Sequence, residues 1–162
     1  MPKATPKAVQ DYYPEDVAHC FGCGRLNEHG HRIKTYQEGE DAVCRFTPKP
    51  FHIAIPGYVY GGLIASLIDC HSMATAAAAA ERAAGREIGE APAPRFVTGA
   101  LHVNYLQPTP LGPELEIRGH VKELGTRKAV VEATVSVNGT ITARGEVVAV
   151  RMPETMAAPP SA

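Results

Sequence analysis

The sequence has little net charge. Sixteen Lys and Arg stand against seventeen Asp and Glu, for a formal net charge of -1. The bases are scattered, with no basic stripe, which argues against nucleic acid as a partner. No apolar run is read as long enough to span a bilayer. The one apolar stretch is interrupted by Asp69, His71, Glu81 and Arg82, so a membrane is not expected either. Met1-Pro2-Lys3-Ala4-Thr5-Pro6-Lys7 holds no apolar segment of the kind a signal peptide needs, and the expected location is the cytoplasm. No internal repeat is visible. A chain of 162 residues is read as one domain with a real core.

Cysteine is scarce: Cys20, Cys23, Cys44 and Cys70. In a cytosolic chain these read as free thiols rather than disulfides. Cys20-Phe21-Gly22-Cys23 is a CxxC pair with His19, His29 and His31 close by. A zinc site needs four good ligands. A second CxxC is missing and the His spacing is irregular, so no metal is expected. The pair is read as a tight turn whose small thiols pack against the core.

What the sequence does have is alternation, turns and one long helix. Residues 1–10 and 153–162 are rich in Pro, Ala, Lys and Ser and read as frayed ends. Residues 11–30 suggest a short helix or turns. His31–Tyr36 and Asp41–Phe46 alternate in polarity around Gly39 and predict a hairpin, ended by Pro48 and Pro50. Residues 51–60 read as a loop. Leu63–Ala84 is rich in Ala, Leu, Ile and Met and predicts the long helix, with Gly85 as its stop. The block Ala76–Ala80 lacks bulk and allows a close approach to a sheet. After a loop over 86–94, strands are expected over Phe96–Leu106, Glu114–Leu124, Ala129–Val137 and Thr140–Arg151. Asn138-Gly139 is a strong hairpin signal. The order is β-β-α-β-β-β-β, an α+β chain. A curved antiparallel sheet of about six strands around the helix would bury that helix.

The chemistry concentrates where the helix begins. Gly61 and Gly62 open it, and Asp69 follows eight residues after Gly61. The first N–H groups of a helix lack internal partners, the macrodipole is positive there, and glycine lets a ligand oxygen reach the backbone. That makes an oxyanion site of the helix tip and a base of Asp69. At about 1.5 Å rise per residue the two lie about 12 Å apart along one helix. One carbonyl cannot use both from the same helix. Two helices related by a two-fold axis, antiparallel and side by side, would bring the tip of one to the Asp69 of the other. The expected assembly is therefore a homodimer with two shared sites.

Three segments carry a family resemblance. They are Cys20-Phe21-Gly22-Cys23-Gly24 with Asn27 and Gly30, Gly57-Tyr58-Val59-Tyr60-Gly61-Gly62 through Asp69, and Thr98-Gly99-Ala100-Leu101-His102-Val103-Asn104-Tyr105-Leu106-Gln107-Pro108. Together they resemble the hotdog-fold acyl-CoA thioesterases of the phenylacetate-pathway (PaaI-like) family, over roughly residues 19–150. The resemblance implies a hotdog domain over 19–152, between an N-terminal extension (1–18) and a disordered tail (153–162). It implies hydrolysis of an acyl-CoA with a small, medium-chain or aryl acyl group. The Gly61 amide would polarise the carbonyl, Asp69 would act as base or nucleophile, and Thr98 would position water. It implies a dimer or dimer of dimers and no cofactor. Tyr60, Gly62, His52 and Tyr58 are the candidate substrate-binding residues. Tyr60 stands where the family usually has His, Ala54 where some members have Asn, and Cys70 where Glu often follows the carboxylate. Tyr60 is either a hydroxyl donor to substrate or a packed aromatic. Arg95, Arg127 and Lys128 are possible contacts for CoA phosphates. The competing readings are a non-catalytic acyl-CoA binding module and a hotdog hydratase. The hydratase lacks its Gly-Asp-x-Asn-Pro-type segment here.

Overall fold

The computed structural model describes residues 6–157. Two 3-10 turns, Val9–Tyr12 and Glu15–Val17, precede β1 (Tyr36–Glu38), β2 (Asp41–Phe46), α1 (Gly61–Ala83), β3 (Phe96–Tyr105), β4 (Leu115–Leu124), β5 (Lys128–Val137) and β6 (Thr140–Arg151). The six strands form one antiparallel sheet in the order β1-β2-β4-β5-β6-β3. The single helix touches every strand from β2 to β6. This is the hotdog arrangement, in the element order expected. β3 lies at one edge of the sheet, and its outer side pairs with no strand among the described residues.

Local chemistry accounts for most boundaries. Asn138 and Gly139 both have positive φ, 49° and 82°, as a type I′ turn requires, and they join β5 to β6. Gly85, at φ 75°, ends the helix two residues after Ala83. β1 departs from the expectation. His31–Thr35 is not a strand, and only Tyr36–Glu38 pairs with β2. The amides ahead of it are used elsewhere. His31 and Ile33 donate to the carbonyls of Phe21 and Gly22, and Thr35 donates to Gln10 Oε1 at 2.8 Å. Arg32, at φ 54°, breaks the extended run.

Two expectations about the ends and the helix change. Ala8, Val9, Tyr13 and Ala18 are buried, so the segment read as an extension packs onto the domain. Glu154–Met156 forms a 3-10 turn within the stretch read as a tail. Residues 1–5 and 158–162 lie outside the described residues. By length and mean hydropathy, 23 residues at 1.4, α1 could cross a membrane. The expectation that no run is long enough fails by that measure. However, 83% of that apolar window is buried against the protein itself, as in the core helix of a hotdog domain.

α1 is apolar nearly all round, as a fully buried helix must be. Its alanines let it sit on the sheet backbone. A Cβ on Gly145 of β6 would fall 2.5 Å from Ile68 Cγ2, and one on Gly119 of β4 would fall 2.6 Å from Thr75 Oγ1. Most polar groups on the buried helix are paired, Ser72 Oγ being an exception. Glu81 is bridged twice by Arg86, at 2.9 and 3.1 Å. Fully buried His71 donates from Nε2 to the Ala42 carbonyl at 3.0 Å. Its Nδ1 accepts from Thr35 Oγ1 at 2.9 Å, and Thr35 Oγ1 in turn accepts from Gln10 Nε2. This chain ties the N-terminal segment to the helix turn that follows Asp69.

Candidate active site

The helix tip is built by the loop before it. Val59 N–H donates to the Thr109 carbonyl and Tyr60 N–H to the His52 carbonyl. Tyr60 is the N-cap, extended at φ -71° and ψ 142°, with no side-chain cap. The Gly61 and Gly62 amides donate to no backbone acceptor among the described residues, as the first turn of a helix predicts. Space is tight at Gly62 and less so at Gly61. A Cβ on Gly62 would meet the Tyr60 ring at 2.5 Å, and one on Gly61 would lie 3.3 Å from Tyr105 Oη. Tyr105 Oη, on β3, donates to the Gly61 carbonyl at 2.7 Å.

Two turns along, Thr98 Oγ1 donates to Asp69 Oδ1 at 2.5 Å. The register of β3 against β6 shifts between Thr98 and Ala100, a bulge of the kind that re-aims side chains. Burial raises the Asp69 carboxyl above the ordinary carboxylate range. The Thr98 hydrogen bond opposes that rise, Cys20 adds to it, and Arg95 opposes it. The pair opens to a cleft of about 200 Å³ that Cys20, Cys70, Met73 and Arg95 also line.

The sequence candidates therefore fall into two groups. Asp69 and Thr98 meet directly. His52 and Tyr60 share a second cleft of about 620 Å³, walled by Phe21, His31, Phe46 and Phe51 among others. His52 is buried there, its Nδ1 accepting the Lys49 amide at 2.9 Å. Burial, then the nearby His31 and Lys49 charges, hold it below the ordinary histidine range. The Tyr60 ring packs on Gly62, and the residue is 39% exposed and lines the cleft. Tyr58, joined by a bridge to Pro110, lines neither cleft. Arg95 borders the Asp69 cleft, with its guanidinium 4.8 Å from the Tyr13 ring centroid.

Sequence reasoning missed the partner of the CxxC pair. Cys70, the residue after Asp69, brings its sulfur to those of Cys20 and Cys23, and all three lie within 4.8 Å of one another. Ligands had been sought near the pair in sequence, whereas the third thiol comes from the helix.

Residues 56–144, more than half of the chain, match the family model described as the thioesterase superfamily. The chain belongs to the thioesterase superfamily. Its members include a protein from Shewanella loihica PV-4 whose crystal structure is 50% identical, covering 78% of this chain and 96% of that one at a TM-score of 0.64. The PaaI protein of the phenylacetic acid degradation operon of E. coli is 16% identical, with 76% of this chain and 81% of that one covered and a TM-score of 0.61. The protein smu.793 from Streptococcus mutans UA159, solved bound to acetyl CoA, is 20% identical, with coverages of 79% and 96% and a TM-score of 0.60. These last two are too distant to show more than the shared fold. No curated protein matches the chain.

Proposed function

We propose that this thioesterase-superfamily protein is an acyl-CoA thioesterase of the PaaI-like type. The acyl carbonyl rests on the Gly61 amide of one protomer. The partner subunit's Asp69 either takes a proton from a water that attacks the carbonyl carbon, or attacks that carbon itself to form an anhydride that water then hydrolyses. In both routes the C–S bond breaks and CoA leaves as its thiolate. Thr98 holds that carboxylate. Preorganised donors at a developing oxyanion are commonly the largest electrostatic contribution to acyl transfer. The raised pKa of Asp69 suits a general base. The acetyl CoA bound by the distant S. mutans relative supports a CoA thioester as the ligand class. The two clefts supply room for a small, medium-chain or aryl acyl group.

The observation that carries this reading is the way β3 touches both the helix tip and the turn that bears Asp69. Tyr105 bonds Gly61 and Thr98 bonds Asp69, so β3 and α1 run antiparallel side by side. β3 is also the free edge, and an edge strand is a template for pairing. Antiparallel pairing of two β3 strands, centred between Leu101 and His102, would set Thr98 of one chain opposite the partner subunit's Tyr105. Each Asp69 would then approach the neighbour's helix tip. Leu101 and Tyr105, exposed at 37% and 53% in the single chain, would lie in that seam.

The test is thiol release from a panel of acyl-CoAs, with mass in solution measured alongside. Asp69→Asn is expected to lower turnover by roughly a hundredfold to ten-thousandfold while the dimer persists. Gly61→Pro removes the tip amide at a position where proline suits a helix, and is expected to be inactive too. Mixing the two variants should restore about a quarter of the sites, because a two-fold assembly then holds intact ones. Acyl-CoA binding without turnover, or a mixture that stays dead while each variant still dimerises, would overturn the reading.

A further inference from the structure

We infer that Cys20, Cys23 and Cys70 form a binding site for one thiophilic d10 cation, zinc(II) by its chemistry, with the fourth coordination position open to the cleft beside Asp69.

The geometry is that of a tetrahedral cap. Zinc–sulfur bonds of about 2.3 Å set sulfur–sulfur edges of roughly 3.8 Å in a tetrahedron. Cys20 Sγ and Cys70 Sγ are 3.9 Å apart, and the whole triangle fits within 4.8 Å. A disulfide would use two of these sulfurs and leave the third idle, whereas a cation uses all three.

The surroundings are arranged for thiolates. Cys20 Sγ and Cys70 Sγ lie within hydrogen-bond reach of one another at 3.9 Å. Gly22 lets the turn approach: a Cβ there would lie 2.3 Å from Cys70 Sγ. The turn is itself fixed, by Gly24 N–H to the Cys20 carbonyl at 2.7 Å and Ile33 N–H to the Gly22 carbonyl at 3.0 Å. Three thiolates around a dication leave one negative charge, and the Arg95 guanidinium lies close enough to act electrostatically on all three cysteines.

Binding involves no oxidation. Three S–H groups become three metal–sulfur bonds, and the protons not already lost leave to solvent. Cys23 and Cys70 are buried, and Cys20 is half-buried on the cleft side, so a water in the cleft completes the shell. The cation would cross-link the 20–24 turn to the helix turn that bears Asp69. The site stands on the thiols alone and is independent of the hydrolase reading.

The experiment uses the full chain, reduced and stripped of metal, titrated with cobalt(II) and then zinc(II). The expected result is one cobalt per chain, a sulfur-to-cobalt charge-transfer band, the visible bands of a tetrahedral ion, and full displacement by zinc. Cys23→Ser and Cys70→Ser should weaken uptake at least tenfold. Cys44→Ser, in β2 and outside the cluster, should leave it unchanged. The wild-type titration decides the matter even if a cluster variant fails to fold. An octahedral or absent cobalt spectrum would overturn the site. So would equal loss in Cys44→Ser, or a stable disulfide among the three that forms in place of metal uptake.

Discussion

Acidification should loosen this protein through one side chain, His71. In the fold its ring is buried and neutral, with Nε2–H on the Ala42 carbonyl and Nδ1 accepting from Thr35. Adding a proton would place a charge in the core and a second N–H against a Thr35 oxygen already taken by Gln10. Burial is the main cause that pushes its pKa down to about 4. The bond to Ala42 resists the shift and the Arg118 charge adds to it. In the unfolded chain the ring titrates near 6.5. Between those values only the unfolded state takes up the proton, so stability falls as pH drops through 6.5 and levels off near 4. The full span corresponds to about 3 kcal/mol. For a chain of this size that is roughly 6–12 °C in melting temperature. Asp69 works the other way, because its raised pKa favours the folded state in acid. The His71 contribution must therefore be taken as a difference. Urea unfolding of wild type and His71→Gln, both reduced and free of metal, at pH 7.5 and 4.5, isolates it. The variant should start less stable and lose about 2.5 kcal/mol less on acidification, most of the full span. Parallel losses in the two proteins, or a ring titration of His71 near 6.5 by NMR, would refute the reasoning.

Two further outcomes are expected. Gly145→Ala puts a methyl group 2.5 Å from Ile68 Cγ2 and should destabilise the fold by about 1–3 kcal/mol. Denaturant midpoints should show relief when Ile68→Ala is added, and additive losses would count against a clash. Thr98→Val removes the hydroxyl from Asp69 and should lower kcat about tenfold or more with little change in KM, given the usual strength of hydrogen bonds to charged groups. Thr98→Ser should restore most of it, and a Ser variant as slow as the Val variant would disprove the hydrogen-bond role.

Most of the architecture was legible because period-two alternation and turn chemistry are local signals. β6 over Thr140–Arg151 falls where a strand was expected, and Asn138-Gly139 turns the chain between β5 and β6. The misreading at residues 31–35 shows the limit. Those residues alternate like a strand, but the loop after Cys20 and the Gln10 side chain claim their amides, and neither is visible from within the segment. The N-terminal segment was underestimated for a related reason: Ala8 and Val9 are small, and only the groove they fill shows that they are core. At the site, Asp69 and the glycine tip could be read from the residues, and Thr98 from the resemblance. The cluster of three thiols could not, because one member lies 47 positions beyond the second in the chain and a cysteine in an apolar helix looks like any other small core residue.

The seating of α1 on bare glycine backbone has a lasting effect on what can change in this molecule. A helix pressed against the sheet at Gly119 and Gly145 can neither slide nor stretch, so it acts as a ruler of fixed length from its tip to its carboxylate. Retuning the ligand must then fall to the irregular stretches at 47–60 and 84–95. Substitutions there can reshape the pockets while the ruler keeps its graduations.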